Sequence, residues 1–171
     1  MVYPDMSDSV KPDTKWWRKA AQQTIRAYCG WHIAPVITET IRVDSRPGDL
    51  LLPTQHVISI DKVACQGDDV LDDCEWSRSG ILRRRHGQWP DALGSIEITL
   101  THGYEPEEVP EVIMLMETIA RRARSQPGVS SQSVNGASVS YYSAGGAPLS
   151  VPLLDIEKAM LDPYRIQWGV R

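Results

Sequence analysis

The sequence predicts an α+β fold in which a helical bundle of about three helices carries an inserted antiparallel β-meander. Two observations lead to this class. In three stretches apolar residues recur every three or four positions, which is typical of helices with one buried face. Between the first two stretches the pattern changes to alternation, which is typical of strands with one solvated face. The predicted helices cover residues 14–29, 110–125 and 151–162, and the meander covers residues 36–103.

The first helix follows a polar segment, residues 1–13, in which two prolines predict a flexible N-terminal arm. Thr14 has the hydroxyl that an N-cap needs, and Gly30 can adopt the left-handed conformation that ends a helix. The apolar stripe of this helix consists of Trp17, Ala21, Thr24, Ile25 and Tyr28.

The meander begins after Pro35, which interrupts the helical pattern. Glycines separate its short β-like runs, as turns between antiparallel strands require. In the last run Ile96, Ile98 and Leu100 alternate with polar residues, so one side of this strand should be buried. The predicted strands are residues 37–43, Leu50–Leu52, Val57–Cys65, Cys74–Trp76, Ile81–Arg83 and Ser95–Thr101.

The second predicted helix begins at Pro110, a residue that the first helical position tolerates, and its last turns are rich in arginine, which suits the helix dipole. An extended loop of small residues, 127–149, follows. Its alternation of Val139 and Tyr141 could form a strand by pairing with a neighbouring subunit. Ser150 is a candidate cap for the third helix. The predicted domain spans 14–163, and residues 164–171 form a C-terminal tail.

The composition is that of an ordinary globular protein, with 42% hydrophobic and 23% charged residues. The formal net charge of -4 argues against a protein that mainly binds the phosphate backbone of nucleic acids. Three cysteines without CxxC spacing indicate free thiols in a reducing compartment. The sequence shows neither a signal peptide nor an apolar run of membrane-spanning length, which predicts assembly in the cytoplasm without a membrane partner.

Several short segments resemble head-tail connector proteins of long-tailed double-stranded DNA bacteriophages, especially those of actinobacterial hosts. They occur in the family's order and are spread over most of residues 14–165. Glu75 departs from the pattern, since the family has a tyrosine at this point of the strand. The segments are Ala27–Pro35, Glu75–Arg83, Ile96–Tyr104, Val109–Pro110 and Leu161–Arg165.

The resemblance implies a structural adaptor in the neck of a virion. Such subunits form a ring, commonly a dodecamer, between the portal protein and a stopper or other tail-side neck protein. Genomic DNA passes through the lumen of the ring. The alternatives are another neck protein, such as a stopper or a tail-terminator, and a β-rich protein-binding module unrelated to phages.

Three sets of residues are candidates for contacts in such an assembly. The resemblance implies that the C-terminal tail docks into the portal, because related connectors insert their carboxyl ends there. Aromatic residues are enriched at protein interfaces. A dense basic run suits sequence-independent contact with DNA, and the alternative is a solvated turn or an ion pair with an acidic neighbour. The docking residues are Tyr164, Arg165, Ile166, Gln167, Trp168 and Arg171; the subunit-interface residues are Trp16, Trp89, Tyr141 and Tyr142; and the DNA or lumen residues are Arg83, Arg84 and Arg85.

The sequence predicts no enzymatic activity, cofactor or metal. The four histidines lack the spacing of metal ligands and are expected at surface or strand positions. The aspartates at positions 68, 69, 72 and 73 surround a turn, where carboxylates usually accept backbone hydrogen bonds. Nucleotide-binding and nucleophile motifs are also missing from the sequence.

Overall fold

The computed structural model describes residues 13–124, the strands within residues 131–148, and residues 153–166. In these parts of the chain it contains three α-helices and eleven β-strands. The helices are α1 (Thr14–Cys29), α2 (Pro110–Arg124) and α3 (Asp155–Leu161). The strands are β1 (Ile37–Ser45), β2 (Leu50–Leu51), β3 (Val57–Cys65), β4 (Asp68–Asp69), β5 (Cys74–Trp76), β6 (Ile81–Arg84), β7 (Ala92–His102), β8 (Ser131–Val134), β9 (Ala137–Ser140), β10 (Ser143–Ala144) and β11 (Ala147–Pro148).

The chain divides into two compact units. Both units include parts of the span 14–163, which the sequence predicted as one domain. Unit 1 contains Met1–Ile25 and Glu111–Ala159. Unit 2 contains Arg26–Pro110 and Met160–Arg171. Each unit therefore combines segments that are distant in sequence, so local patterns alone do not reveal the division.

Unit 1 contains most of the three helices, and ion pairs connect them. Arg18 of α1 lies 2.8 Å from Glu117 of α2, measured from Nε to Oε1. Arg122 of α2 donates two hydrogen bonds, of 2.5 and 3.0 Å, to the carboxylate of Glu157 in α3. The cap of α1 is Asp13, whose Oδ1 accepts the amide of the third helical residue at 2.7 Å. The predicted cap, Thr14, is instead the first residue of the helix.

Unit 2 contains two antiparallel sheets. The larger sheet has the order β1-β7-β3-β4, and the smaller has the order β2-β6-β5. Strand β7 pairs with β1 along one edge and with β3 along the other. Side chains of both sheets form a shared apolar core, which Ile96, Ile98 and Leu100 enter from β7. The other core residues are Leu50, Leu52, Val57, Ile60, Val63, Cys74, Leu82 and Trp89.

The predicted helical bundle with an inserted meander is wrong, because the protein has a β-rich α+β fold. The helices lie close to their predicted positions, but the large shared core is formed by the two sheets. The order of strands also differs from a meander, since β7 lies between β1 and β3, and strands β2, β5 and β6 form a second sheet. Alternation identifies which face of a strand is buried but does not identify its neighbours, which depend on long-range pairing.

The segment predicted as an extended loop contains four short strands. Strand β8 pairs with β9, and β10 pairs with β11, each antiparallel. Val139 is opposite Gln132 within the same chain, so the chain itself supplies the partner of this strand. None of the helices in the described parts is both long and apolar enough to cross a membrane.

Candidate functional site

Aromatic and imidazole rings from four segments of unit 2 meet in one cluster, which we call the C-terminal joint. The rings of His56 and Tyr104 stack, with centroids 4.0 Å apart and an interplanar angle of 14°. The ring of Tyr104 also packs against those of Trp31 and Tyr164, with ring centroids 6.0 and 5.9 Å away. The joint is defined by Trp31, His32, His56, His102, Tyr104 and Tyr164.

Hydrogen bonds attach the C-terminal segment, residues 161–166, to the end of α1 and the loop that follows it. The indole of Trp31 donates to the carbonyl oxygen of Tyr164 at 2.6 Å, and Gln55 donates to the carbonyl oxygen of Arg165. Two further bonds join Ile166 N to Cys29 O at 2.8 Å and Tyr28 Oη to Asp162 Oδ1 at 2.6 Å. Backbone and side-chain donors therefore hold the segment at several points.

Gly103 allows the segments of the joint to approach closely. Its φ angle is +108°, a conformation that residues with a side chain rarely adopt. A Cβ atom at this position would lie 2.6 Å from Nε2 of His32 and 2.7 Å from the carbonyl oxygen of Pro35. The Gly103 amide donates to the His56 carbonyl at 2.9 Å. Only glycine fits both the backbone conformation and the available space.

The loop between α1 and β1 is held by Arg26. Its guanidinium donates to the carbonyl oxygens of His32 at 3.1 Å and Ala34 at 2.9 Å. The loop contains a left-handed residue, Ile33, with φ +62°, and a cis peptide bond between Ala34 and Pro35. The paired carbonyls thus fix the backbone on which Trp31 and His32 are carried.

The partners of the histidines assign their hydrogen-bonding roles. His56 Nδ1 lies 2.7 Å from the Gly103 carbonyl, which only accepts, while Nε2 faces Arg78, which only donates. His56 therefore carries its proton on Nδ1. His102 is 2% exposed and bonds Glu39 through Nε2 at 2.9 Å, and no partner for its Nδ1 is found among the described residues.

Burial shifts the pKa of one joint residue, His32, and of Cys29 beside the joint. Burial lowers the pKa of His32, and its Nε2 donates to the Pro35 carbonyl at 2.8 Å. Burial also raises the pKa of the neighbouring Cys29 thiol to about 11, and the charge of Asp162 raises it further. A neutral thiol is a poor nucleophile. The Cys29 thiol is therefore not activated for nucleophilic attack.

Among the described residues, no group of three or more His, Cys, Asp or Glu side chains is placed to hold a metal ion. The predicted lack of a metal and a cofactor stays a prediction for the whole chain.

The first three residues of the predicted docking tail, Tyr164, Arg165 and Ile166, belong to the segment held by the joint. The guanidinium of Arg165 also lies 5.4 Å from the ring centroid of Tyr28. The remaining docking residues, Gln167, Trp168 and Arg171, lie outside the described residues.

Of the four predicted interface aromatics, the structure describes Trp16 in unit 1 and Trp89 in unit 2. Trp16 is 37% exposed on α1 and makes an edge contact with Trp17 at 4.7 Å. Trp89 is 1% exposed and belongs to the core of unit 2, so its ring is covered within its own chain. Tyr141 and Tyr142 lie outside the described residues.

Each arginine of the predicted DNA-contact run faces a carboxylate. Arg83 donates to both oxygens of Asp49, at 2.6 and 2.7 Å. Strand alternation places Arg84 on the opposite face, beside buried Cys74, where its guanidinium lies 5.8 Å from the ring centroid of Trp89. The pairs of the other two arginines are Arg84 Nε to Asp73 Oδ2 at 3.0 Å and Arg85 Nε to Glu75 Oε1 at 3.1 Å.

Hydrogen bonds shift the pKa values of three groups in these pairs, Asp49, Asp73 and Arg83, toward the charged form. The hydrogen bond from Arg83 lowers the pKa of Asp49, and the same bond raises the pKa of Arg83. The pKa of Asp73 is lowered by its hydrogen bonds to His86, at 2.7 Å, and to Arg84. The basic run is thus compensated by its acidic neighbours, as a surface ion-pair cluster is, and leaves little free positive charge for DNA.

Sequence reasoning missed Arg78 and the pairing of His56 with Tyr104 as parts of a site. The histidines were expected at surface or strand positions, and His102 does lie on strand β7. The available signal was the run His102-Gly103-Tyr104, because a glycine between two aromatic residues at the end of a strand indicates a close approach.

No protein-family model matches this chain. A search of curated proteins also finds no match.

Proposed function

We propose that this protein is a structural head-tail connector subunit, which forms a ring between the portal and the tail of a bacteriophage. The single observation behind the proposal is the convergence of the segments that carry the resemblance. Ala27–Pro35, Ile96–Tyr104 and Leu161–Arg165 all contribute residues to the C-terminal joint. A fourth segment, Glu75–Arg83, contributes Arg78, whose guanidinium forms a hydrogen bond with the ring of His56 in the joint. Residues far apart in sequence thus share one structural task.

That task is to give the C-terminal tail a fixed point of departure. A docking peptide binds more tightly when its base is already ordered, because less conformational entropy is lost on binding. The joint orders residues 161–166 against α1 and its following loop. We assign residues 167–171, which include Gln167, Trp168 and Arg171, to contact with the portal. The subunit would work in the virion neck after assembly in the host cytoplasm, with DNA passing through the ring.

The chemistry of the joint supports an assembly role over an enzymatic one. Its imidazoles bond carbonyls, a guanidinium and a carboxylate of the same chain. Catalytic groups would instead need a lone pair or proton that a substrate can reach, whereas Nδ1 of His102, which has no partner among the described residues, is buried.

The decisive experiment mixes the purified chain with the portal protein of the same virus and images the product by electron microscopy. The expected result is a ring of this subunit seated on the portal. Purified virions should also contain the chain, as detected by mass spectrometry. If the chain were absent from virions and failed to bind the portal, the proposal would be refuted. A single copy bound beneath another neck ring would favour the stopper alternative.

The role of the tail needs a truncation that leaves the joint intact. Removing residues 164–171 would also remove joint contacts, so a loss of binding could reflect instability of unit 2. A chain that stops after Ile166 avoids this problem. A control that replaces residues 167–171 with glycine and serine keeps the length but not the side chains. Both variants should lose portal attachment; attachment of either at the wild-type level would refute the docking role.

A further inference from the structure

A basic groove of unit 1 lies between α1 and α2. Its volume is about 200 Å³, and three guanidinium groups and one carboxylate line it. The carboxylate, Glu117, already pairs with Arg18, so the groove keeps a surplus of positive charge. The lining residues are Thr14, Trp17, Arg18, Glu117, Ala120, Arg121 and Arg124.

The arginines of this basic groove differ in how many hydrogen bonds and ion pairs they form. Arg124 donates to the hydroxyl of Thr14 at 3.1 Å, which holds it at the start of α1. Arg121 is exposed and makes no hydrogen bond or ion pair with any described residue. Trp17 and Ala120 add an apolar wall beside the charges. Charged groups around an aromatic anchor are typical of a protein interface.

Unit 2 carries a complementary acidic ridge, formed by Glu105, Glu107 and Glu108. All three residues are exposed and lie in the turn that precedes α2. A capping box fixes this turn, since the carboxylate of Glu108 accepts the amide of Glu105 at 2.9 Å while the Glu105 side chain accepts an amide in return. The ridge is therefore a rigid acidic feature, and its carboxylates make no ion pair with described residues.

We infer that the basic groove of one copy binds the acidic ridge of a second copy. A ring needs heterologous contacts, in which two different surfaces of the same chain fit each other. The basic groove and the acidic ridge meet this requirement by opposite charge. Such pairs mainly set the rate and the specificity of association. The inference rests on the proposed ring-forming function, which it extends by naming the surfaces in contact.

A charge swap tests the contact with two residues whose loss disturbs no described bond. Arg121→Glu places a carboxylate in the groove, and Glu107→Arg places a cation on the ridge. Each single variant should weaken self-association by on the order of tenfold at low ionic strength, as expected when exposed attractions become repulsions. The chain with both substitutions should regain most of the wild-type association. Sedimentation equilibrium measures the constants, and added salt should weaken the wild type.

Two control variants change the net charge equally at exposed positions elsewhere. Arg46→Glu matches the groove variant and Asp91→Arg matches the ridge variant. Both should associate like the wild type. If they weakened association as much as the test variants, overall charge rather than this contact would be responsible, and the inference would fail.

Other outcomes also contradict the contact. The inference fails if the wild type is monomeric at low ionic strength, or if the double swap restores nothing. It also fails if Arg121→Glu leaves self-association unchanged and abolishes binding of a labelled DNA duplex, because the groove would then serve nucleic acid. A chain that builds rings on the portal through another surface would remove this inference and leave the proposed function. A chain that associates through the groove but is absent from virions would leave the contact in place and remove the proposed function.

Discussion

Gly103→Ala should destabilise the protein more than the same substitution at a glycine that has a positive φ but open space around it. An alanine in the left-handed region costs about 1–2 kcal/mol. Its Cβ would also lie 2.6 Å from the His32 ring and 2.7 Å from the Pro35 carbonyl oxygen, and the latter cannot rotate away as a side chain can. Forcing such an overlap costs about 1–3 kcal/mol more. The expected total loss in the free energy of unfolding is about 2–5 kcal/mol.

Gly67→Ala is the matched control for this prediction. Gly67 has a similar φ of +101°, but no atom lies within 4 Å of its hypothetical Cβ. This variant should lose only the conformational contribution of about 1–2 kcal/mol. Urea unfolding followed by circular dichroism gives both values. Equal losses in the two variants would show that the close approach in the C-terminal joint contributes nothing, and the reasoning about Gly103 would be refuted.

Two further predictions concern buried groups. Glu157→Gln should cost about 3 kcal/mol at neutral pH, because Arg122 would lose its buried counter-charge. Burial raises the pKa of Glu157, but the bonds from Arg122 and a backbone amide outweigh it and leave the pKa lowered. The difference in unfolding free energy between the wild type and Glu157→Gln should therefore vanish as the pH falls through the folded pKa of Glu157. A difference that persists in acid would contradict this prediction. Cys29 and Cys74, whose pKa burial raises to about 11, should be alkylated more slowly than Cys65 in the folded protein; equal rates would contradict this.

The arginine run shows how strand geometry separates residues that look equivalent in a sequence. Adjacent strand residues point to opposite faces of a sheet. Arg83 and Arg84, the last two residues of β6, therefore point to opposite faces, and Arg85 follows directly after the strand. The partner of Arg83, Asp49, is 34 positions away. The sequence could indicate a dense positive charge, but the compensating carboxylates lie in other segments: Asp49 just before β2, Asp73 in the turn before β5, and Glu75 in β5.

Local signals determined the helices and the buried face of β7. Pro110 marks the start of α2, a glycine follows α1, and the alternation of Ile96, Ile98 and Leu100 matches their burial in the core. These features depend on residues within a few positions of each other, where side-chain periodicity and backbone preferences act directly. Residues 14–124 could therefore be divided into elements from the sequence.

Tertiary structure alone decided how those elements combine. The placement of β7 between β1 and β3, the burial of Trp89 and the meeting of Trp31, Tyr104 and Tyr164 all join residues that are distant in sequence. Such contacts depend on which partners bury the most apolar surface and satisfy the most hydrogen bonds at once, and a local pattern does not contain that information. The sequence signal at His102-Gly103-Tyr104 indicates a close approach there, but only the folded chain shows that Trp31, His56 and Tyr164 complete the C-terminal joint.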